Sequence, residues 1–230
     1  MRYDAYIIAS GIWMIIFTLK DYVPSHLSFD IIIENFLKIK KNFSIKVLFQ
    51  YFLIFVILSL TLFASISRGI NLMRITPIAS KNTYEQQYQM GLFLQKYYSG
   101  KCVAANDIGA INFLGDVKCL DLRGLANMKI LNATMNGTYN TNMIYQIAKE
   151  NDCKIAIVYK FAYDNIGGLP SQWVLVGTWT IKEPNVTCWG LTVSFYAVSP
   201  NEVNNLFSNL KDFSKQLPDT VNDRFYIHRL

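Results

Sequence analysis

From Val47 to Ser67 the chain reads VLFQYFLIFVILSLTLFASIS, 21 residues without a charge, closed by Lys46 before it and Arg68 after it. A helix needs roughly 20 apolar residues to cross the hydrocarbon core of a bilayer, so this run predicts a membrane-spanning helix. The composition agrees. Of 230 residues, 52% are hydrophobic and 17% charged, below the quarter or so of charged residues usual in soluble domains, and the mean hydropathy is +0.20. These figures exclude intrinsic disorder, and 12 Gly and 6 Pro exclude a collagen-like or low-complexity chain.

A second apolar stretch, Ala5 to Leu19, lies between Asp4 and Lys20. As a helix it would reach about 22 Å, short for a span. Asp4 and the lack of a small-x-small site after it argue against a secretory signal, so the expectation is a short membrane helix over about 5–19. Between the two stretches Leu27, Ile31, Ile32, Phe36 and Ile39 recur at helical spacing, with Asp30, Glu34, Lys38 and Lys41 among them. That pattern over 27–41 predicts an amphipathic helix at the membrane surface, or else a linker. Residues 1–79 carry a charge excess of +4 and residues 80–230 only +2. Lys38, Lys40, Lys41 and Lys46 precede the long run, where basic side chains face anionic headgroups. There is no basic stripe with interleaved aromatics of the kind that binds single strands. The expected partner is the lipid bilayer and not nucleic acid.

After Arg74 the character changes. Residues 75–82, ITPIASKN, read as a connector around Pro77, which places a membrane segment in 1–79 and a soluble domain in 80–230. Tyr84, Tyr88, Leu92 and Phe93 then share one face of a helix that Thr83 caps and Gly100 closes. Next come strand patterns at 101–105, 117–122 and 154–160, with a short helix after Asp107, a loop, and a helix over 142–151 between them. Strands alternating with helices predict βαβ units. Two further strands, 173–181 and 191–198, follow without a helix and would pair antiparallel at one edge. A last helix runs over about 201–217. The expected fold is therefore α/β: two N-terminal membrane helices followed by a small, mainly parallel, Rossmann-like sandwich.

The most organised segment is NDIGAINFLGDVKCLDLRGL, residues 106–125. Asp107 stands where a carboxylate caps the helix after the first strand, Gly109 would let that helix approach the sheet, and Gly115 would end it. Asp121 and Arg123 stand at the end of the second strand. Asp107, Asp121 and Arg123 are thus candidate ligand-facing residues at the carboxyl ends of parallel strands, where α/β sheets bind ligands; the structural alternative is a cap and a turn anchor. No G-x-G-x-x-G or other phosphate-cradling loop occurs, and no cofactor is expected.

The block Asp107-Ile108-Gly109-Ala110-Ile111, with Phe113 and then Leu120-Asp121-Leu122-x-Gly124-Leu125, resembles one in integral-membrane glycosyltransferases of the GT-C class. These take sugars from polyprenyl-phosphate carriers outside the cytoplasm. The resemblance covers about residues 47–160 and implies a soluble α/β domain after the last membrane helix, with a polyprenyl-phosphate sugar and a glycan or lipid acceptor as partners. The family's many other membrane helices and its acidic first external loop have no counterpart here. Asp21, Asp30 and Glu34 do not replace that loop, because two spans put them on the opposite side from the domain. Catalytic residues are therefore unknown, and the isolated chain is expected to be inactive.

Four cysteines, Cys102, Cys119, Cys153 and Cys188, all lie in the soluble part. They form no C-x-x-C pair and only His26 and His228 accompany them, so no zinc site is expected. Two readings stay open: disulfides Cys102–Cys119 and Cys153–Cys188, or four buried thiols. Asn42, Asn132, Asn136 and Asn185 head N-x-S/T triplets that chance explains in a chain rich in Asn. Trp173, Trp179 and Trp189 either stack on a sugar ring or pack in the core. A slight excess of basic residues in the loop between the spans, together with the cysteines and the resemblance, places the domain outside the cytoplasm, on a bacterial cytoplasmic membrane. Two functions follow. One is the non-catalytic C-terminal portion of a lipid-linked-sugar glycosyltransferase, supporting acceptor binding or covering the active site. The other is a membrane-anchored extracytoplasmic binding domain without enzymatic activity.

Overall fold

The computed structural model describes residues 45–226 together with Ser10, Gly11, Trp13, Met14 and Phe17, which are helical. The rest of the 5–19 stretch, the interfacial stretch 27–41, and Asp21, Asp30, Glu34, His26 and His228 lie outside the described residues. The chain divides into two compact units, Met1–Arg68 and Gly69–Leu230.

Helix α1, Ile45–Thr83, contains the uncharged run. Among the described residues one helical stretch, Phe55–Tyr97, is long and apolar enough to cross a membrane, with a window of mean hydropathy 1.6 that has no buried share. The expected connector at 75–82 is absent: α1 carries Pro77 inside it and continues to Thr83. Thr83 accordingly caps nothing, since the chain passes through a π-helical turn, Tyr84–Tyr88, directly into α2, Gln89–Tyr97. The expected face is also corrected. Tyr84 and Tyr88 stack on each other and are exposed, while Asn82, Glu85, Gln86, Gln89, Met90 and Phe93 are buried.

The domain continues as β1 (Cys102–Ala105), α3 (Gly109–Gly115), β2 (Lys118–Asp121), α4 (Met128–Met135), α5 (Thr141–Glu150) and β3 (Ile155–Val158). Then come β4 (Val174–Thr180), β5 (Thr192–Ala197), α6 (Val203–Phe213) and β6 (Asn222–Phe225). Helix α4 stands where a loop is expected; the Asn127 side chain starts it by accepting from the Lys129 and Ile130 N–H groups, and Ile130 and Ala133 bury its inner face. Asn140 starts α5 in the same way.

The six strands form one sheet in the order β2-β1-β3-β5-β4-β6. Strands β2, β1 and β3 are parallel, whereas β5 joins β3, β4 joins β5 and β6 joins β4 antiparallel. The fold is α/β, but the sheet is mixed and not mainly parallel, because no crossover helix separates β4 from β5. The β4–β5 pair is interior, for β6 supplies an edge strand that NDRF, with three polar residues, does not announce.

Strands β1 and β3 are buried throughout and their side chains alternate between two cores. Val103, Ala105, Ile155 and Ile157 meet α2, α3 and α6 on one face. Cys102, Ala104, Ala156 and Val158 meet α4 and α5 on the other. This alternation decides the cysteines. Cys119 sits opposite Val103 and packs in the first core with Cys188, whereas Cys102 and Cys153 belong to the second. Both expected pairings would have to cross the sheet. The bridge is instead Cys102–Cys153, with Cα atoms 4.3 Å apart, and Cys119 and Cys188 are free.

The bridge ties the start of β1 to the turn before β3 across a sequence separation of 51. Replacing both cysteines by serine is expected to cost roughly 2–4 kcal/mol, mainly by releasing the unfolded chain. Thermal unfolding of the full chain in detergent, with and without the substitutions, measures the loss.

Candidate functional site

Strand β1 connects through α3 to β2 on one side and β2 through α4 and α5 to β3 on the other, so the connections diverge between β1 and β3. In open α/β sheets the crevice outside the carboxyl ends at such a point is where ligands bind. The residues leaving those ends are Asn106-Asp107, Leu122-Arg123 and Tyr159-Lys160.

Asn106 is buried and its Oδ1 accepts the Tyr159 N–H at 3.2 Å, joining the ends of β1 and β3. Its Nδ2 has no hydrogen-bond partner, and neither does the buried hydroxyl of Tyr163. Tyr159 donates its hydroxyl to Gln86 Oε1 at 2.7 Å, and Gln86 Nε2 donates to the Leu191 carbonyl at 3.0 Å. Burial, then the nearby Asp107 charge, holds the Tyr159 hydroxyl well above the usual phenol range, so it stays a donor.

Asp107 is not the helix cap the sequence suggests. The residue before α3 is Ile108, with no side-chain cap, and Asp107 Oδ2 accepts from Gln87 Nε2 at 2.7 Å. The carboxylate has turned back to the π-helical turn. Nor does Gly109 permit close approach, since a Cβ there would meet open space; the tight contact is at Gly91, whose Cβ would lie 2.8 Å from Leu114 Cβ. Asp121 does anchor a turn. It is buried and accepts the N–H groups of Arg123 at 2.7 Å and Ala126 at 2.6 Å. The same loop is fixed by Tyr139, which donates to the Leu122 carbonyl. Gly124 completes it at φ +79°, where an added Cβ would stand 2.7 Å from the Leu131 nitrogen. The loop is therefore a rigid base for Arg123.

The Arg123 guanidinium lies 4.5 Å over the Trp189 ring. Trp189 meets Phe161 edge-on at 5.7 Å and Tyr159 at 6.0 Å, and Trp189 and Phe161 remain 44% and 48% exposed. By contrast Trp173 and Trp179 are core residues. The loop that carries Trp189 is fastened to the end of α1: Asn82 donates to the Pro184 carbonyl and accepts the Val186 N–H, and Thr187 donates to the Ala79 carbonyl. The sheet end thus brings Arg123 together with Trp189, Phe161 and Tyr159. Asp107 and Asp121 stand nearby in the sequence pattern but are occupied by protein donors. Sequence reasoning misses Phe161, Tyr159 and Gln86; glutamines in a helix read as solvent-facing, and Gln86 and Gln87 find their partners only across the fold, in Tyr159, the Leu191 carbonyl and Asp107.

A separate cavity of about 510 Å³ runs along the open edge of β2, lined by Lys118, Cys119, Asn112, Asn127 and Met128 among others. Among the described residues no three His, Cys, Asp or Glu side chains gather as metal ligands.

Residues 75–198, from the last turns of α1 to the end of β5, match the profile of a family described as a domain of unknown function, DUF8728. The chain belongs to that family. The matched span of the DUF8728 domain contains the divergence point, Arg123, the Trp189 loop and the helix end that holds it. No curated protein and no solved structure matches the chain.

Two outcomes are expected. Asp121→Ala removes two charge-assisted bonds from a buried carboxylate to backbone N–H groups and costs about 3 kcal/mol, whereas Asp107→Ala loses one bond at a half-buried site and costs about 1 kcal/mol; melting temperatures of the two variants check the order. The free thiols are expected to react slowly. Burial, then the Asp121 charge, pushes Cys119 up to about 12, and burial, then Asp107 and Glu85, pushes Cys188 up to about 11. A raised pKa leaves almost no thiolate, the reactive form, at pH 8. Iodoacetamide at pH 8 is expected to add nothing to the native chain and two groups to the denatured one, read by mass spectrometry.

Proposed function

We propose that this chain is the C-terminal, non-catalytic portion of a membrane glycosyltransferase that uses a lipid-linked sugar. In this reading two N-terminal helices, at about 5–19 and 47–67, sit in the cytoplasmic membrane of a bacterium. The α/β domain lies outside the cytoplasm and its sheet end holds the glycan or lipid acceptor or covers the active site. The observation that carries the binding role is the half-exposed Trp189–Phe161 pair beside Arg123 at the carboxyl end of the parallel strands, since aromatic faces and edges are the surfaces on which sugar rings pack. The D-x-G-A-I and D-L-x-G-L resemblance supplies the reaction class. The Cys102–Cys153 bridge supports an oxidising compartment, because such bridges are rare in the cytosol.

One observation favours the alternative, a membrane-anchored extracytoplasmic binding domain without enzymatic activity. The carboxylates at this end, Asp107 and Asp121, are spent on Gln87 and on backbone N–H groups, so neither stands free as a general base. Both readings share the placement and the binding surface.

The placement is tested with Ser171→Cys, an exposed position, in whole cells treated with a membrane-impermeant maleimide. Labelling in intact cells is expected; labelling only after lysis rejects an external domain. The function is tested with the chain in lipid nanodiscs. A neutral trisaccharide, maltotriose, is expected to shift the indole N–H signal of Trp189, and a polyprenyl-phosphate hexose is expected to undergo no transfer. An unmoved Trp189 signal with all saccharides removes the binding role, and turnover removes the non-catalytic assignment.

A further inference from the structure

We propose that the saccharide taken up at the carboxyl end of the parallel strands is acidic, its carboxylate or phosphate oxygens held by Arg123 and its ring against Trp189 and Phe161. This rests on the reading of that end as a saccharide site.

Arg123 is exposed, and its guanidinium carbon lies over the Trp189 ring, 4.5 Å from the centroid. A guanidinium carries its N–H donors in one plane, as a fork that matches two oxygens of one oxyanion. Among the described residues no carboxylate forms an ion pair with it. The nearest in sequence, Asp121, is buried and has both oxygens on the N–H groups of Arg123 and Ala126, and Asp107 is held by Gln87. Lys160, exposed at the end of β3, adds a second cation to the same end of the sheet, again with no ion pair among the described residues.

The receptor is also held in place. The Arg123 backbone is fixed by Asp121, by the crowded turn at Gly124 and by Tyr139 on the preceding carbonyl. Trp189 is fixed by the Asn82 and Ala79 contacts of its loop and by Phe161, which approaches so closely that a Cβ at Gly190 would lie 2.7 Å from its ring. An anion that binds here meets a cation whose backbone is already held, and such preorganisation lowers the cost of binding. A neutral sugar would use the aromatic part alone.

The test follows the Trp189 indole signal of the full chain in lipid nanodiscs during titration with trigalacturonate, maltotriose, glucose 6-phosphate and glucose. The acidic member of at least one pair is expected to bind about tenfold more tightly than its neutral counterpart, as hydrogen bonds to a charged group would give. That advantage is expected to shrink with added salt. Arg123→Gln is expected to bring the acidic-to-neutral ratio to about one, and Arg123→Lys to restore only part of it, because an ammonium lacks the planar fork. Preference for trigalacturonate alone identifies a carboxylate ligand, and preference for glucose 6-phosphate alone a phosphorylated one. Equal binding of acidic and neutral members, or an acidic preference that survives Arg123→Gln, overturns the proposal while leaving a saccharide site. Failure of every probe to move Trp189 overturns the saccharide reading itself.

Discussion

The burial of β1 on both faces is the constraint from which the rest of the domain follows. Each of its four residues is shielded from water, so every backbone N–H and C=O must find a partner within the sheet. Parallel neighbours on both sides, β2 and β3, supply them. Parallel pairing cannot be closed by a tight turn and requires crossovers, and α3 lies on one face while α4 and α5 lie on the other. Divergence of those crossovers puts the carboxyl ends of β1 and β3 at the kind of point where open α/β sheets bind ligands. The site is thus a consequence of how one short strand is satisfied.

A second constraint sets what stands at that end of the sheet. The helix that leaves the apolar run turns a polar stripe inward: Asn82 reaches the loop around Pro184 and Val186, Gln86 bridges Tyr159 to the start of β5, and Gln87 holds Asp107. Burying amides costs free energy unless each is bonded, and here Asn82 and Gln86 bond backbone groups at Pro184, Val186 and Leu191, Gln86 also accepts from the Tyr159 hydroxyl, and Gln87 donates to Asp107. The outcome is a fixed link between the end of a long apolar helix and the loop that presents Trp189. The π-helical turn at Tyr84–Tyr88 lies within that stripe, as such turns often do near functional surfaces.

Much of this was readable before any coordinates. The strands at 102–105 and 155–158 show as short apolar runs, 118–121 lies within the strand pattern 117–122, and Asp121 and Arg123 stand in a recognisable strand-end pattern. What misled was locality. Asp107 has the spacing of a helix cap, yet it bonds Gln87, twenty positions earlier. Cys102 and Cys119 look paired because their strands are neighbours, yet a one-residue offset in parallel register puts them on opposite faces. Tyr84 and Tyr88 follow a helical period, but the face that is buried carries Asn82, Gln86 and Gln89 beside Met90 and Phe93, and the hydrogen bonds of Asn82 and Gln86 offset the cost of burying their amides.

The sequence by itself determined that one segment is apolar for a membrane's width and that an α/β domain follows it, because length, hydropathy and the period of apolar residues are properties of consecutive positions. Which cysteines meet, where the carboxylates spend their oxygens, and that Arg123, Trp189 and Phe161 share one end of the sheet were decided only by the tertiary structure. Those residues stand far apart along the chain, and their contacts depend on strand register and on which face each crossover covers, neither of which is written in any local pattern.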